Sequence, residues 1–500
     1  MVKPEETSQI ETPPYANASP SKYFFCEMLT RDIELKDAIM DLVDNCIDGA
    51  MRVRKANSLN DTNNFYAGFF IDITINNETF KIEDNCGGIP LELAENYAFK
   101  FGRPKELNTG ENNIPTIGLY GIGMKRAIFK IGESAEIYTK TEDDPEYKVE
   151  IPNGWIDSDE WRFKISRTED KPEILKEFGT SISIVLKKTI PDFSLKGISF
   201  FIEELRKSIS QSFGLIIQKG LIIKINGKPI EGVEIAFLVS NGREKKSRYL
   251  PYIYTSKING VDIFMIIGFY KKNIIPSEDD IEAELKGDGK KRSSEDAGWT
   301  VICNDRVVLY NNKDHLTGWG DIGVPKYHTQ FIGIKGIVKF TSNDPSLLPT
   351  TTSKRGIDLN SEIYSIVKKR MCLALKKFTD YTNKWKGMGE KEREKSSKSD
   401  LKPALELTGD IKSIEKNLNV TFTKNQRPEI GEAESYILIP DLPIPQDKTM
   451  VTRISYFCDN EEYEKVAKYL FGCCIENTTP TEVGLECFNI ILKKADGEEK

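Results

Sequence analysis

The chain has 500 residues, of which 39% are hydrophobic, and this length allows about three domains of ordinary size with buried cores. Wholesale disorder is therefore excluded. The 77 acidic and 70 basic residues give a formal charge of −7, so the molecule as a whole does not present a surface for polyanions.

No segment reaches the roughly 20 apolar residues that a membrane-spanning helix needs, and the start of the chain has no apolar signal-peptide core. We therefore expect a cytoplasmic protein with no membrane contact. The nine cysteines are odd in number and form no Cys-x-x-Cys pair, so reduced and packed thiols are predicted rather than disulfides or a zinc site.

Residues 1–20 are rich in Pro, Ser, Thr and Asn and are predicted to be a flexible N-terminal arm. Helical and strand patterns then alternate over 21–190, which predicts a first α/β domain. The predicted elements are a helix near 32–56, a hairpin near 68–83, and strands at 135–140, 147–151, 161–165 and 180–186.

A second α/β domain is predicted over 191–385, with an amphipathic helix at 198–217 and strands at 221–225 and 300–309. Its charged segment 276–297 is predicted to be a surface loop. Residues 386–403 have little to bury and are predicted to be a linker or a solvated helix extension. A small α/β module over 404–500 closes the chain, with a strand at 451–456 and a helix at 460–469.

The helix near 32–56 has a polar line along one side. Asp41, Asn45 and Asp48 recur at i, i+4 and i+7, opposite an apolar face. Asn45 offers a neutral oxygen suited to a Mg²⁺ ion that is otherwise bound by water and phosphate, and Asp41 is placed to polarise an attacking water. Taken alone, the same line is typical of a solvated surface helix, and only the neighbouring motifs favour a site.

The predicted hairpin ends at Asp84, which is followed by Asn-Cys-Gly87-Gly88. A carboxylate at this strand end can accept a hydrogen bond from the exocyclic amine of adenine, and the two glycines let the backbone approach the base. An ordinary turn is the alternative reading of this motif by itself.

Three glycines, Gly118, Gly121 and Gly123, precede a helical run over 124–131. Backbone amides and a helix N-terminus can face a triphosphate there, and Lys125 can add a positive charge, although a solvated lysine is equally consistent with its position. No Gly-Lys-Ser/Thr follows, so this is not a Walker loop. The turn-rich residues 102–117 are predicted to be a mobile lid.

The order and spacing of these motifs resemble the GHKL ATPases, the superfamily of gyrase B, the ninety-kilodalton heat-shock chaperones, histidine kinases and MutL. The resemblance covers 21–190 and includes Gly179-Thr180, where Thr180 would support adenine recognition. It implies a Bergerat fold, a two-layer α/β sandwich with helices over one face of a mixed sheet, and it implies ATP and Mg²⁺ as cofactors.

Two departures from the family pattern bear on activity. The usual general base is Glu, and Asp41 is shorter by one methylene, so hydrolysis is less secure than binding. A misplacement on the order of 1 Å can cost about a hundredfold in rate. Cys86 stands where many members carry the first glycine of Asp-x-Gly-x-Gly, and Gly87 and Gly88 are expected to preserve the turn.

Residues 300–309 together with Leu348-Pro-Thr-Thr-Thr-Ser-Lys354-Arg355-Gly-Ile are similar to the transducer domain of MORC-like and MutL-like members. In those proteins a transducer lysine reaches the γ-phosphate. The resemblance implies that role for Lys354, with Arg355 as the fallback; an exposed basic turn is the alternative.

The chain lacks the phospho-acceptor helix of a histidine kinase and the length of a gyrase-type topoisomerase. The closest reading is an ATP-driven clamp or switch that forms a homodimer, with 404–500 available to a protein partner. An ATP-sensing scaffold with negligible hydrolysis and a chaperone-like ATPase remain the alternatives. Nucleic acid is a possible partner that the sequence does not support, because acidic residues interrupt the basic groups near 286–292 and 384–398. A role in DNA maintenance or defence is analogy only.

Overall fold

The computed structural model describes residues 21–54, 64–101, 121–158, 160–167, 173–194, 197–240, 248–276, 296–321, 323–351, 353–425, 432–445, 458–472 and 478–496. The chain divides into two compact units, one up to Ile444 and one from Pro445. The first unit contains two large sheets, each with its own core, and we call the parts built on them the first and the second lobe.

The first sheet has eight strands in the order β5-β4-β3-β6-β2-β1-β7-β8, and all neighbours are antiparallel except the parallel pair β1 and β7. Its strands are β1 (Phe70–Ile75), β2 (Thr79–Asp84), β3 (Gly132–Lys140), β4 (Tyr147–Ile151), β5 (Lys164–Arg167), β6 (Gly179–Leu186), β7 (Ile222–Ile225) and β8 (Lys228–Pro229). Alternating apolar residues, such as Ile71, Ile73 and Ile75 of β1, lie in the core, as the period of a half-buried strand requires.

The helices of the first lobe are α1 (Lys22–Arg31), α2 (Leu35–Arg54), the short α3 (Leu91–Leu93), which continues into a π-helical turn (Ala94–Ala98), α4 (Gly123–Ile131) and α5 (Ile198–Gln218). Helix α2 lies against α4, and α2, α4 and α5 contribute apolar residues to the core of the first sheet. The predicted helices and most predicted strands of this lobe are confirmed. The predicted boundary at 190 falls before α5 and β7, which complete the lobe because α5 buries Phe201, Leu205 and Ile209 in the same core.

The second sheet has seven strands in the order β13-β12-β14-β11-β10-β17-β16. They are β10 (Tyr252–Ile258), β11 (Val261–Phe269), β12 (Gly298–Cys303), β13 (Arg306–Asn312), β14 (Ile334–Thr341), β16 (Thr423–Lys424) and β17 (Glu432–Leu438), while β9 (Ala236–Ser240) pairs separately with β15 (Ser399–Pro403). Both faces of the second sheet are covered. Helix α6 (Glu362–Lys384) packs on one face, and residues 404–422, including α8 (Ile411–Leu418), pack on the other.

The prediction of one strand over 300–309 is wrong, because that stretch is the hairpin of β12 and β13. Asn304 and Asp305 form its turn with φ values of 45° and 66°. Asn and Asp tolerate this left-handed conformation better than most residues, so the turn has a local sequence signal.

Residues 386–403, predicted as a linker, are folded in the structure. They contain α7 (Gly389–Ser396) and β15, and Glu392 is fully buried, where it accepts hydrogen bonds from Tyr249 Oη at 2.8 Å and Tyr381 Oη at 3.1 Å. The predicted 404–500 module also differs from the structure: residues up to Ile444 belong to the first unit, since β17 lies beside β10 in the second sheet.

The second unit contains α9 (Asn460–Phe471) and α10 (Pro480–Asp496). Helix α9 confirms the helix predicted at 460–469, whereas the strand predicted at 451–456, the N-terminal arm at 1–20, the lid at 102–117 and most of the loop at 276–297 lie outside the described residues. None of the described helices is long and apolar enough to span a membrane.

The two lobes of the first unit are joined by a buried charge cluster at the turn between β12 and β13. Asp305 is fully buried and lies 2.6 Å from Lys219 Nζ and 2.9 Å from Lys339 Nζ. Lys219 follows α5 in the first lobe and Lys339 is on β14 in the second, so one carboxylate connects both. These two lysines hold the pKa of Asp305 below its ordinary value although burial alone would raise it.

We predict that Asp305→Ala lowers the free energy of unfolding of the first unit by about 3–5 kcal/mol, because it leaves the buried Lys219 and the half-buried Lys339 without their carboxylate. Urea unfolding followed by tryptophan fluorescence measures this, since all five tryptophans precede residue 445. Asp262→Ala is the matched control, because Asp262 forms an exposed pair with Lys257 at 3.4 Å and its loss should cost under about 1 kcal/mol. Equal effects of the two substitutions would contradict the prediction.

Candidate functional site

The polar line of α2 lies at the junction of the two lobes rather than on a solvated surface. Asp41, Asp44 and Asp48 are all at most 5% exposed. Between residues 38 and 51 only Asn45 is not buried, so its amide is the part of this stretch that a ligand can reach. This arrangement distinguishes the helix from an ordinary amphipathic surface helix.

Asp44 is bound by two cations of the second lobe. Lys354 Nζ lies 3.0 Å from one of its carboxylate oxygens, and Arg306 Nε lies 3.0 Å from the other. The Arg306 guanidinium also stacks over the Phe213 ring at 4.2 Å. Sequence reasoning missed Asp44 and Arg306. The position of Asp44 directly before Asn45 was a usable signal, but nothing local identified Arg306 as its partner.

Lys354 stands at the tip of a closed loop in which Thr350 pairs with Ile357 and Thr351 N–H donates to the Gly356 carbonyl at 3.1 Å. Its φ of 58° is left-handed, which costs a residue with a side chain on the order of 1 kcal/mol or more. Burial favours the neutral amine, but Asp44, Asp48 and Asp41 together raise the pKa of Lys354 above its ordinary value. Lys354 is therefore a charged ammonium among three carboxylates.

Asp41, the predicted base, is bound by Arg126 of α4, whose Nε lies 3.2 Å from the carboxylate and whose Nη2 also donates to it. Burial raises the pKa of Asp41, while Lys354 and Arg126 oppose that rise. A β-carbon built on Gly123 would lie 3.5 Å from Asp41 Cβ, so the start of α4 abuts the candidate base. No pattern in the sequence identified Arg126 as a partner of Asp41.

Asp84 and Thr180 meet across β2 and β6, where they are paired residues in the ladder. Asp84 accepts a hydrogen bond from Cys86 N–H at 2.7 Å, and Thr180 Oγ1 lies 3.2 Å from Thr139 Oγ1. Burial of the carboxylate raises the pKa of Asp84 to about 6. The two residues predicted to recognise adenine are thus adjacent, and the carboxylate is largely desolvated.

The glycine turn after Asp84 has no room for side chains. Gly87 and Gly88 have φ values of 92° and 70°, and a β-carbon on Gly88 would lie 2.2 Å from the Lys140 carbonyl oxygen. Cys86 is 2% exposed and occupies the core instead of a third glycine position. The turn expected from Gly87 and Gly88 is therefore present.

Lys125 is buried, and its ammonium donates to the carbonyl oxygens of Ala98, at 2.8 Å, and Gly121. These two residues flank the segment 102–120, which lies outside the described residues and includes Gly118. Burial lowers the pKa of Lys125 to about 8. Gly121 adopts a φ of 65° just before α4.

Among the described residues no group of three His, Cys, Asp or Glu side chains has the arrangement of a metal site. A Mg²⁺ ion that takes one protein oxygen and completes its shell with water and phosphate needs no such group. The half-buried amide of Asn45 fits that limited role, and Asp41, Asp44 and Asp48 supply negative charge around it.

Residues 33–174 match the family described as histidine kinase-, DNA gyrase B-, and HSP90-like ATPases. The match spans under a third of the chain and includes α2, the glycine turn and α4. No curated protein matches the chain. Together with the mixed first sheet and its helices, the match supports a GHKL-type ATPase domain of Bergerat α/β fold, and it supports ATP binding.

We predict that Asp84→Asn stabilises the protein at neutral pH while it weakens nucleotide binding. The pKa of Asp84 is about 6 in the folded state instead of 3.8, so the native state binds the Asp84 proton more tightly than the unfolded state does. The ionised carboxylate therefore destabilises the fold: the cost begins as pH rises above 3.8 and is complete above about pH 6. The asparagine removes a cost of up to roughly 3 kcal/mol and keeps an acceptor for Cys86 N–H. Its amide no longer provides a carboxylate for adenine.

Thermal unfolding and calorimetric titration with a non-hydrolysable ATP analogue measure the two effects. Asp72→Asn on the adjacent strand β1 is the control, and it should leave analogue affinity unchanged. An Asp84→Asn variant that binds the analogue like the wild type would contradict the role of Asp84.

Proposed function

We propose that the protein is a Mg²⁺-dependent ATPase in which ATP draws Lys354 from Asp44 to the γ-phosphate and thereby closes a homodimeric clamp or switch. In this proposal Asp41 activates the attacking water, Asn45 binds Mg²⁺, and Asp84 with Thr180 recognises adenine. Asp48, Gly88, Gly118, Gly121, Gly123 and Lys125 complete the nucleotide site. The second lobe acts as a transducer of the MORC-like or MutL-like kind.

The observation that carries this proposal is the contact of Lys354 with Asp44 at 3.0 Å. Lys354 belongs to the second lobe, and Asp44 immediately precedes Asn45 on α2. A γ-phosphate near Asn45 offers more negative charge than one carboxylate, so it competes for the same ammonium. The position of the second lobe then depends on the nucleotide, as in other switches that a γ-phosphate orders.

A second candidate is an ATP-sensing scaffold with negligible hydrolysis. It is favoured by the pairing of Asp41 with Arg126, because a guanidinium that holds the carboxylate competes with the proton that a base must take. The chaperone-like alternative has no comparable observation in its favour. A role in DNA maintenance or defence, and a protein partner for the C-terminal residues, remain proposals by analogy.

Mass measured by light scattering tests the switch. With Mg²⁺ and a non-hydrolysable ATP analogue, the wild-type mass should double, whereas Asn45→Ala should stay monomeric because it loses a metal ligand. Lys354→Met should bind the analogue more weakly than the wild type and without doubling, because it loses a γ-phosphate contact and the second lobe no longer senses that phosphate. Lys224→Met, which removes an exposed lysine of β7, is the matched control and should behave like the wild type. A constant wild-type mass despite confirmed analogue binding would contradict the proposal of a dimerising clamp.

Steady-state phosphate release separates the ATPase from the scaffold. If Asp41 is the base, Asp41→Asn should lower turnover by about a hundredfold or more, and Asp41→Glu should retain measurable activity. Analogue affinity is measured in parallel to show that both variants still bind nucleotide. A negligible wild-type rate that neither substitution changes would favour the scaffold.

A further inference from the structure

A cavity lies next to Arg306, which contacts Asp44, and next to Arg355, which follows Lys354 in the chain. It has a volume of about 190 Å³ and is lined by the first turns of α2, the middle of α5, the start of β13 and the loop that carries Lys354. The residues predicted to bind nucleotide do not line it. This volume is sufficient for a compact anion.

The charged residues that line this cavity are mainly cationic. Lys36, Arg306 and Arg355 face it together with one carboxylate, Asp37, and the hydroxyls of Ser208 and Ser212. Arg306 is 2% exposed, so its charge is desolvated, and Arg355 pairs with Asp37. Lys36 pairs with the exposed Glu34 at 3.0 Å, a contact that solvent weakens.

The two guanidiniums give the cavity its selectivity. Guanidinium groups bind phosphate and carboxylate oxygens through paired hydrogen bonds, and such charge-assisted bonds are stronger in a desolvated site. Burial lowers the pKa of Arg355 to about 10, and the negative charge of Glu34 opposes that change only in part. A ligand with two negative charges can satisfy both arginines at once.

We propose that this cavity is a regulatory site for a compact dianion of the phosphomonoester class, which bridges Arg306 and Arg355 and opposes ATP binding. An anion that binds Arg306 weakens the ion pair between Arg306 and Asp44, so Lys354 becomes the main counter-ion of Asp44. Lys354 is then held more firmly on Asp44 and is less available to a γ-phosphate. This regulatory part rests on the proposed function, whereas anion binding itself does not.

Calorimetric titration with inorganic phosphate, without Mg²⁺ and at constant ionic strength, tests the site. Saturable binding of one phosphate is expected for the wild type, for Asn45→Ala, and for Lys228→Ala, which removes an exposed lysine elsewhere. Arg355→Gln removes one arginine charge and Ser212→Leu fills the cavity without changing charge, so both should bind at least about tenfold more weakly. Glycerol phosphate in place of phosphate shows whether the cavity accepts an organic group.

Equal phosphate affinity in the two cavity variants and the wild type, loss of binding in Asn45→Ala, or no saturable binding at millimolar phosphate would each overturn the site. For the regulatory part, phosphate should weaken binding of the ATP analogue to the wild type but not to Ser212→Leu, in which the nucleotide site is intact. Unchanged analogue affinity with phosphate bound would overturn the coupling. If phosphate binds as expected and the analogue does not bind at all, the proposed function fails and the anion site stands.

Discussion

The buried carboxylate of Asp44 is the constraint on which the relation between the two lobes depends. A carboxylate that is 1% exposed cannot stay ionised without cations, and both of its partners, Lys354 and Arg306, come from the second lobe. Helix α2 therefore reaches its native environment only when the second lobe is docked against it. Helix α2 and the second lobe are therefore coupled by charge.

The turn between β12 and β13 supplies two contacts between the lobes, one through Asp305 and one through Arg306. Asp305 is fixed between Lys219, which is buried, and Lys339, which is half-buried. The next residue, Arg306, turns toward Asp44. In the proposed switch, a ligand at α2 competes for Lys354 while the Asp305 cluster keeps the lobes joined.

Sequence patterns predicted the first lobe well because its motifs are local. Apolar periodicity identified α2 and the hairpin of β1 and β2, and Asp84 with its two glycines lies at the strand end where the pattern indicated it. Adjacent placement of Asp84 and Thr180 followed from the family resemblance, since no local rule pairs β2 with β6. The partners of Asp41 and Asp44 were missed because they are distant in the chain and no periodicity encodes them. The fold of 386–403 was missed for a related reason: a charged stretch appears solvated until two tyrosines from other elements bury Glu392.

Asp44 pairs with two cations instead of one, and this lowers the cost of releasing Lys354 from it in the proposed switch. Removing the only partner of a buried charge typically costs about 3–5 kcal/mol, which would be a large barrier for the proposed switch. In the proposed switch Arg306 keeps its 3.0 Å contact with Asp44 when Lys354 leaves, so the carboxylate retains a counter-ion and the cost of release falls. The left-handed backbone of Lys354 lowers that cost further, since strain in the docked loop is relieved when the loop moves. Asp41 differs from Asp44 because Arg126 is the side chain that donates hydrogen bonds to it. Releasing Asp41 from Arg126 for catalysis would leave a buried carboxylate without that partner, unless Lys354 or the substrate compensates its charge.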